Sequence, residues 1–352
     1  MKRRWTTVFA VSLLIVLLAS LILVGYFAWI AGLDEFISAV AAMGASIILA
    51  PILHEFGHVL AAKVSKMECV EIKCFCFRYQ KTDEKWKLTL VSPFAPDQTQ
   101  VLPKSSENMQ KRAMRYTLGG LALEGAVCLL IAITAIIFAC FNVAVFSLWG
   151  LLPYCAYLFI LNAVPFEYPD GKTDALVAVG LKKGYPAEKT MVAAMYIQGE
   201  LSQGSTFSQI DEKWYFDLPQ LCEDEPLFAV MLDLRYRYYL DKGDMENAAK
   251  ELNRLASLQA YFSDEEVEKI SAELVYMHAL NGDKERADEC GKICEEFLKK
   301  QTLLSKRALM AYCKAFGGEE QAKLLMEQAK ALLEKQSCLG LKKSEESLFE
   351  RI

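Results

Sequence analysis

His54-Glu55-Phe56-Gly57-His58 combines residue types and a spacing that can do hydrolytic chemistry. On a helix, two histidines four residues apart lie on one face, one turn apart, where both imidazoles can bind a single metal ion. Glu55, beside them, is then placed to act as general base on a metal-bound water. The motif lies within an apolar stretch, Phe36 to Ala62, long enough to cross a bilayer. Histidine and glutamate are costly there, so by default they mark a functional site. The chain has three histidines, and two are in this motif. The bland alternative is a polar pair satisfied by neighbouring helices.

Such a motif needs elements to hold it. The 352 residues allow two or three domains, and the overall 53% apolar content hides two unlike halves. Residues 1 to about 165 carry long charge-poor runs. Residues 171–352 hold 32 Asp and Glu against 25 Lys and Arg, an acidic balance that argues against nucleic acid. The eleven cysteines show no framework of the small secreted kind, and Cys290 with Cys294 reads as helix packing.

Four spans are expected, at about 6–30, 37–62, 116–140 and 144–165. The first follows Lys2-Arg3-Arg4 and reads as a retained signal anchor. Residues 63–115 carry eleven Lys or Arg, whereas the loops at 31–36 and 141–143 carry none. The positive-inside rule therefore puts both termini and the 63–115 segment in the cytoplasm. Spans two and four then run in the same direction. His54 and His58 fall in the cytoplasmic half, and a third metal ligand is expected near residues 160–175.

That window reads Asn162-Ala-Val-Pro165-Phe-Glu167-Tyr-Pro-Asp170-Gly171. Together with the HEFGH motif, the series N-x-x-P-x-x-x-x-D-G resembles the site-2 protease family of intramembrane zinc metalloproteases, over roughly residues 37–175. The resemblance implies one zinc ion held by His54, His58 and Asp170, with Glu55 catalytic. Two histidines, a carboxylate and a water form the open tetrahedral site that catalytic zinc favours. Glu167 and Asp174 are competitors for the third place, and Pro-Asp-Gly is also a turn signature. Asn162 matches the family's asparagine, a candidate for contact with substrate or the reacting carbonyl; it could equally cap a helix end before Pro165. The family's G-P-x-x-N signature departs here to Gly119-Gly120-Leu121-Ala122-Leu123. Paired glycines still allow close helix approach.

Glu124, an intramembrane carboxylate at comparable depth, is a candidate to hold the second nitrogen of a ligand histidine. A base near the substrate channel, or pairing with a lysine, are its other readings. Residues 67–91 alternate about a polar turn, Lys81 to Lys85, which reads as a β-hairpin able to hold an extended substrate by strand addition, or to serve as a lid or structural ribbon. Residues 92–104 read as loop.

Residues 173–202 read as helices broken at Gly184-Tyr185-Pro186. Further on, Gly243, Gly282 and Gly317 are each followed five residues later by alanine and preceded by Tyr239, Tyr276 and Tyr312. Spacings of 39 and 35 residues resemble the tetratricopeptide helix-turn-helix. The expected fold is an α-helical polytopic membrane protein with a short cytoplasmic β-hairpin and a C-terminal all-α, tetratricopeptide-like domain. Its segments are 1–36 (anchor and outer loop), 37–172 (metalloprotease core), 173–215 (juxtamembrane helices), 216–340 (repeats) and 341–352 (tail). The expected function is zinc-dependent endoproteolysis of a membrane-spanning segment near the cytoplasmic face, with a cytoplasmic protein or peptide bound by the repeats. Short loops and the lysine-rich character suggest a bacterial plasma membrane. The competing function is a catalytically silent, membrane-anchored repeat scaffold with a vestigial zinc site. Other membrane HExxH proteases take a glutamate from a later helix, which the Asn-Pro-Asp-Gly series disfavours.

Overall fold

The structure is a computed structural model, and it describes residues 2–82, 85–92, 97–168 and 171–352. It is mostly helical and divides into two units, one of residues 1–102 and 108–185, the other of residues 103–107 and 186–352.

In the first unit, α1 (Lys2–Ala31), α2 (Leu33–Val64), α3 (Met109–Thr117), α4 (Gly119–Cys140) and α5 (Phe146–Ala163) account for the apolar runs. Four stretches are long and apolar enough to cross a membrane: Val8–Ala31, Leu33–Val64, Met109–Cys140 and Phe146–Ala163. Their outward faces are apolar, with Ile22, Trp29, Ile48 and Leu130 all exposed. Small residues set the helix contacts. A Cβ on Gly57 would overlap the Gly119 carbonyl oxygen, and one on Gly150 would come within 2.6 Å of the Ala39 carbonyl oxygen. Only glycine permits this approach of backbones.

Between α2 and α3 lies a four-stranded sheet of β1 (Met67–Cys74), β2 (Phe77–Thr82), β3 (Lys85–Leu90) and β4 (Gln98–Pro103), in the order β3-β2-β1-β4. The expected hairpin is thus too simple. The run from Glu68 to Arg78 is two antiparallel strands, Cys74 pairing with Phe77 across a turn at Phe75-Cys76. Phe75 is left-handed there (φ 54°), and its amide donates to Asp97 Oδ1 at 2.7 Å. Asp97 is 22 residues away, so alternation alone could not announce this turn. The expected loop at 92–104 contains β4.

After α5 come the two-residue strands β5 (Glu167–Tyr168) and β6 (Gly171–Lys172), then α6 (Asp174–Lys183). Thr173 caps α6, its hydroxyl accepting from the Leu176 amide, and Gly184 ends it in the left-handed region (φ 70°). These are the N-cap and C-cap chemistries that start and stop helices.

The second unit begins with α7 (Pro186–Gln203) and α8 (Lys213–Phe216). Three helix pairs follow: α9 (Pro226–Lys242) with α10 (Met245–Ser257), α11 (Asp264–Leu280) with α12 (Lys284–Ile293) and the short α13 (Glu295–Leu298), and α14 (Leu303–Phe316) with α15 (Glu319–Glu334). Gly243, Gly282 and Gly317 turn between partners at φ 82°, 72° and 98°. Ala248, Ala287 and Ala322 are buried, which allows close packing within each pair. Tyr236, Leu240, Leu252, Ala272, Tyr276, Cys294 and Phe297 share one apolar core. Residues 341–352, expected as a tail, lie in α16 (Leu339–Arg351), which buries Leu348 and Phe349. The polar spacing of that segment hid a narrow apolar stripe.

Gly282 tests the turn geometry cleanly, because a Cβ there would meet nothing within 4 Å. Gly282→Ala therefore carries only the backbone cost, and is expected to destabilise the second unit by about 1–2 kcal/mol. Thermal unfolding that leaves Gly282→Ala equal to wild type would contradict the assigned turn.

Candidate metal centre

The site is assembled from four helices and a strand, all in the first unit. α2 carries His54, Glu55 and His58, whose 3.6-residue period turns them inward; all three are buried. Tyr116 comes from the end of α3, Glu124 from α4, Asp174 from the first residue of α6, and Thr99 from β4.

His54 Nε2 and His58 Nε2 lie 3.2 Å apart, and Asp174 Oδ2 lies 3.1 Å from the first and 3.3 Å from the second. Among the described residues this is the one cluster of three or more potential metal ligands. The opposite ring nitrogens are engaged as well. His54 Nδ1 is 2.9 Å from Glu124 Oε2, and His58 Nδ1 is 2.9 Å from the Tyr116 carbonyl oxygen. A carbonyl only accepts, so His58 carries its hydrogen on Nδ1; a carboxylate imposes the same tautomer on His54. The two Nε2 atoms then present lone pairs to each other. Asp174 Oδ2, itself buried and without a hydrogen-bond donor among the described residues, faces both.

Three converging acceptors require a positive charge between them. A metal ion fits on two counts. Bonds of about 2.0–2.1 Å at tetrahedral angles give donor–donor separations of roughly 3.3–3.4 Å, close to the three observed. Room for the ion is kept by Gly120, where a Cβ would stand 2.6 Å from His58 Nε2 and 2.7 Å from His54 Nε2. His54, His58 and Asp174 are thus a group that could bind a metal ion.

Glu55 is held from outside its own helix. Thr99 Oγ1 donates to Glu55 Oε2 at 2.6 Å, and the Tyr116 hydroxyl donates to the Thr99 carbonyl oxygen. One carboxylate oxygen is thereby fixed, and the other is left for a proton.

The sequence-derived candidates divide as follows. His54, Glu55, His58 and Glu124 come together. Asp170 lies outside the described residues, and Asp174, weighed as its competitor, stands with the histidines. Glu167 is exposed on β5. Asn162 sits in the last turn of α5, its amide donating to the Leu158 carbonyl at 3.3 Å within that helix. Thr99 and Tyr116 escaped the sequence reading, having no motif and lying 44 and 58 residues from their partners. For Asp174 a local signal exists: Thr173 before the run Ala-Leu-Val-Ala-Val marks a helix start that would present the next residue at its N-terminus.

Comparison with family models, with curated proteins and with solved structures gives no match.

Metal content separates the candidate ligands. Asp174→Asn and Gly120→Ala are expected to lose bound metal, while Asp170→Asn and Gly44→Ala keep it; a Cβ at Gly44 meets nothing within 4 Å. Glu124→Gln is expected to weaken metal affinity about 10–100-fold, the usual effect of removing a carboxylate behind a ligand histidine. Metal retained by Asp174→Asn and lost from Asp170→Asn would assign the ligand to Asp170.

Proposed function

We propose that this chain is a zinc-dependent intramembrane endopeptidase that cleaves a membrane-spanning segment of another protein near the cytoplasmic face. The observation that carries this reading is the convergence of His54 Nε2, His58 Nε2 and Asp174 Oδ2 within 3.1–3.3 Å beside a clamped Glu55. Asp174 takes the third-ligand place that the site-2 protease resemblance would give to Asp170.

A zinc ion held by these three residues would act as Lewis acid and bring its water into the range where it ionises near neutral pH. Glu55, with one oxygen tied to Thr99, would be the residue to hold a proton on its other oxygen and to pass it to a leaving amine. Glu124 and the Tyr116 carbonyl keep both imidazoles in the tautomer that turns Nε2 to the metal. Burial among α2, α4 and the sheet strengthens each of these interactions. Substrate is a transmembrane segment because the site belongs to a helix that is itself long and apolar enough to span.

The topology follows the charge pattern: both termini and the sheet cytoplasmic, in a bacterial plasma membrane. The paired helices of the second unit read as tetratricopeptide-like repeats that bind a cytoplasmic protein or peptide.

Zinc content and cleavage of a model single-span substrate, measured together in detergent, test the reading. Glu55→Gln is expected to keep its zinc and to lose cleavage by at least about a hundredfold. Thr99→Val is expected to keep its zinc and cut roughly ten- to a hundredfold more slowly, since a hydrogen bond to a charged group is worth about 1.5–3 kcal/mol. Wild-type protein that binds zinc and cuts no member of a panel of spans favours the scaffold; wild-type protein without zinc overturns the reading.

A further inference from the structure

α6 delivers the third candidate ligand from its first residue, and its two ends are fixed in different ways. At the start, the Thr173 hydroxyl donates to the Val164 carbonyl at 2.9 Å and accepts from the Leu176 amide at 3.3 Å. At the far end, the last carbonyls of a helix lack donors of their own. The Gly184 and Tyr185 amides both turn to the Gly180 carbonyl, at 2.7 and 3.0 Å, and Pro186, next in the chain, has no N–H. The carbonyl of buried Leu181 takes its hydrogen from another helix instead: Gln110 Nε2, on α3, donates to it at 2.8 Å.

α3 ends at the same site as α6 begins. The Tyr116 carbonyl accepts from His58 Nδ1, and Asp174 Oδ2 lies 3.3 Å from His58 Nε2. From Tyr116 back to Gln110 is six residues, about 9 Å of helix, and from Asp174 on to Leu181 is seven, about 10.5 Å. The hydrogen bond from Gln110 therefore closes a frame of two nearly equal arms, whose opposite corner is His58 held between Tyr116 and Asp174.

We propose that Gln110 is a positioning residue for the metal: by fixing how far α6 slides along α3, it sets Asp174 level with the two histidines, from about 10 Å away and without touching the ion. The proposal rests on the reading that His54, His58 and Asp174 hold a metal ion. A set of ligands for one ion tolerates displacements of only a few tenths of an ångström. The buried face of α6 offers Ala178, Gly180 and Leu181, two of them too small to interlock with a neighbour, so packing alone fixes the register of this helix poorly. A directional bond at its far end supplies what the packing lacks. Gln110 is itself exposed, so its side chain adds little to the core.

The test uses the full-length chain in detergent, with zinc and cobalt(II) as the probes. Gln110→Met keeps the length of the side chain and removes the donor; it is expected to bind cobalt(II) about two- to tenfold more weakly, the worth of one ordinary hydrogen bond, and to shift the visible absorption of the bound ion. Gln110→Lys restores a donor and is expected to stay within about twofold of wild type with an unshifted spectrum, its charge being screened over the distance to the site. Lys111→Met, on the same exposed turn, is expected to match wild type. A Gln110→Met protein whose affinity and spectrum equal those of wild type, whether or not it melts at a lower temperature, overturns the proposal and leaves Gln110 a merely structural residue. Wild-type protein that binds neither ion overturns the metal-site reading itself, and the proposal with it.

Discussion

Two imidazole lone pairs and a carboxylate oxygen sit 3.1 to 3.3 Å from one another, away from water, and such a triangle is stable only with a cation or a proton inside it. The surroundings follow from that constraint. The outer ring nitrogens need acceptors, or the imidazoles would turn or tautomerise; Glu124 and the Tyr116 carbonyl supply them. Those acceptors sit on α3 and α4, so α4 must approach α2 closely, and the Gly57–Gly119 contact permits it. α6 must begin at the right height, and the Thr173 cap fixes where its first residue emerges.

The legible part of this arrangement was the local part. His54, Glu55 and His58 are read from helical spacing, because four residues always return to the same face. Glu124 is read because a carboxylate within an apolar run has few reasons to be there. Asp174 is read only as a competitor of Asp170, which lies outside the described residues; its place beside the histidines depends on where the Thr173 cap starts α6, which motif spacing along the chain does not count. Thr99 was hidden for a related reason: it reaches Glu55 through the register of a strand that composition alone assigned to a loop. The other miss in the sheet is the turn at the left-handed Phe75, which a distant aspartate holds.

The second unit meets the same electrostatic problem with the opposite sign. Arg307 is buried completely, and Glu273, Glu345 and the ring of Tyr276 surround it, with the Tyr236 hydroxyl completing Glu273 at 2.7 Å. Here the cation belongs to the chain, so the cluster is complete without a ligand. The triangle in the first unit has no such side chain among the described residues, and is a group that could hold a metal ion instead.

Polarity is distributed accordingly. Along α1, α2, α4 and α5 the outward side chains are large and apolar, and the buried ones are small or polar. In a hydrocarbon surround that is the favourable arrangement, since lipid offers no hydrogen bonds and every polar atom must find its partner within the protein. His54 and Glu124 meet this requirement through each other, His58 through the Tyr116 carbonyl and Glu55 through Thr99. Removing Glu124 strands the His54 ring nitrogen in a medium that cannot solvate it, so this pair couples the packing of α2 and α4 to the chemistry the site can perform.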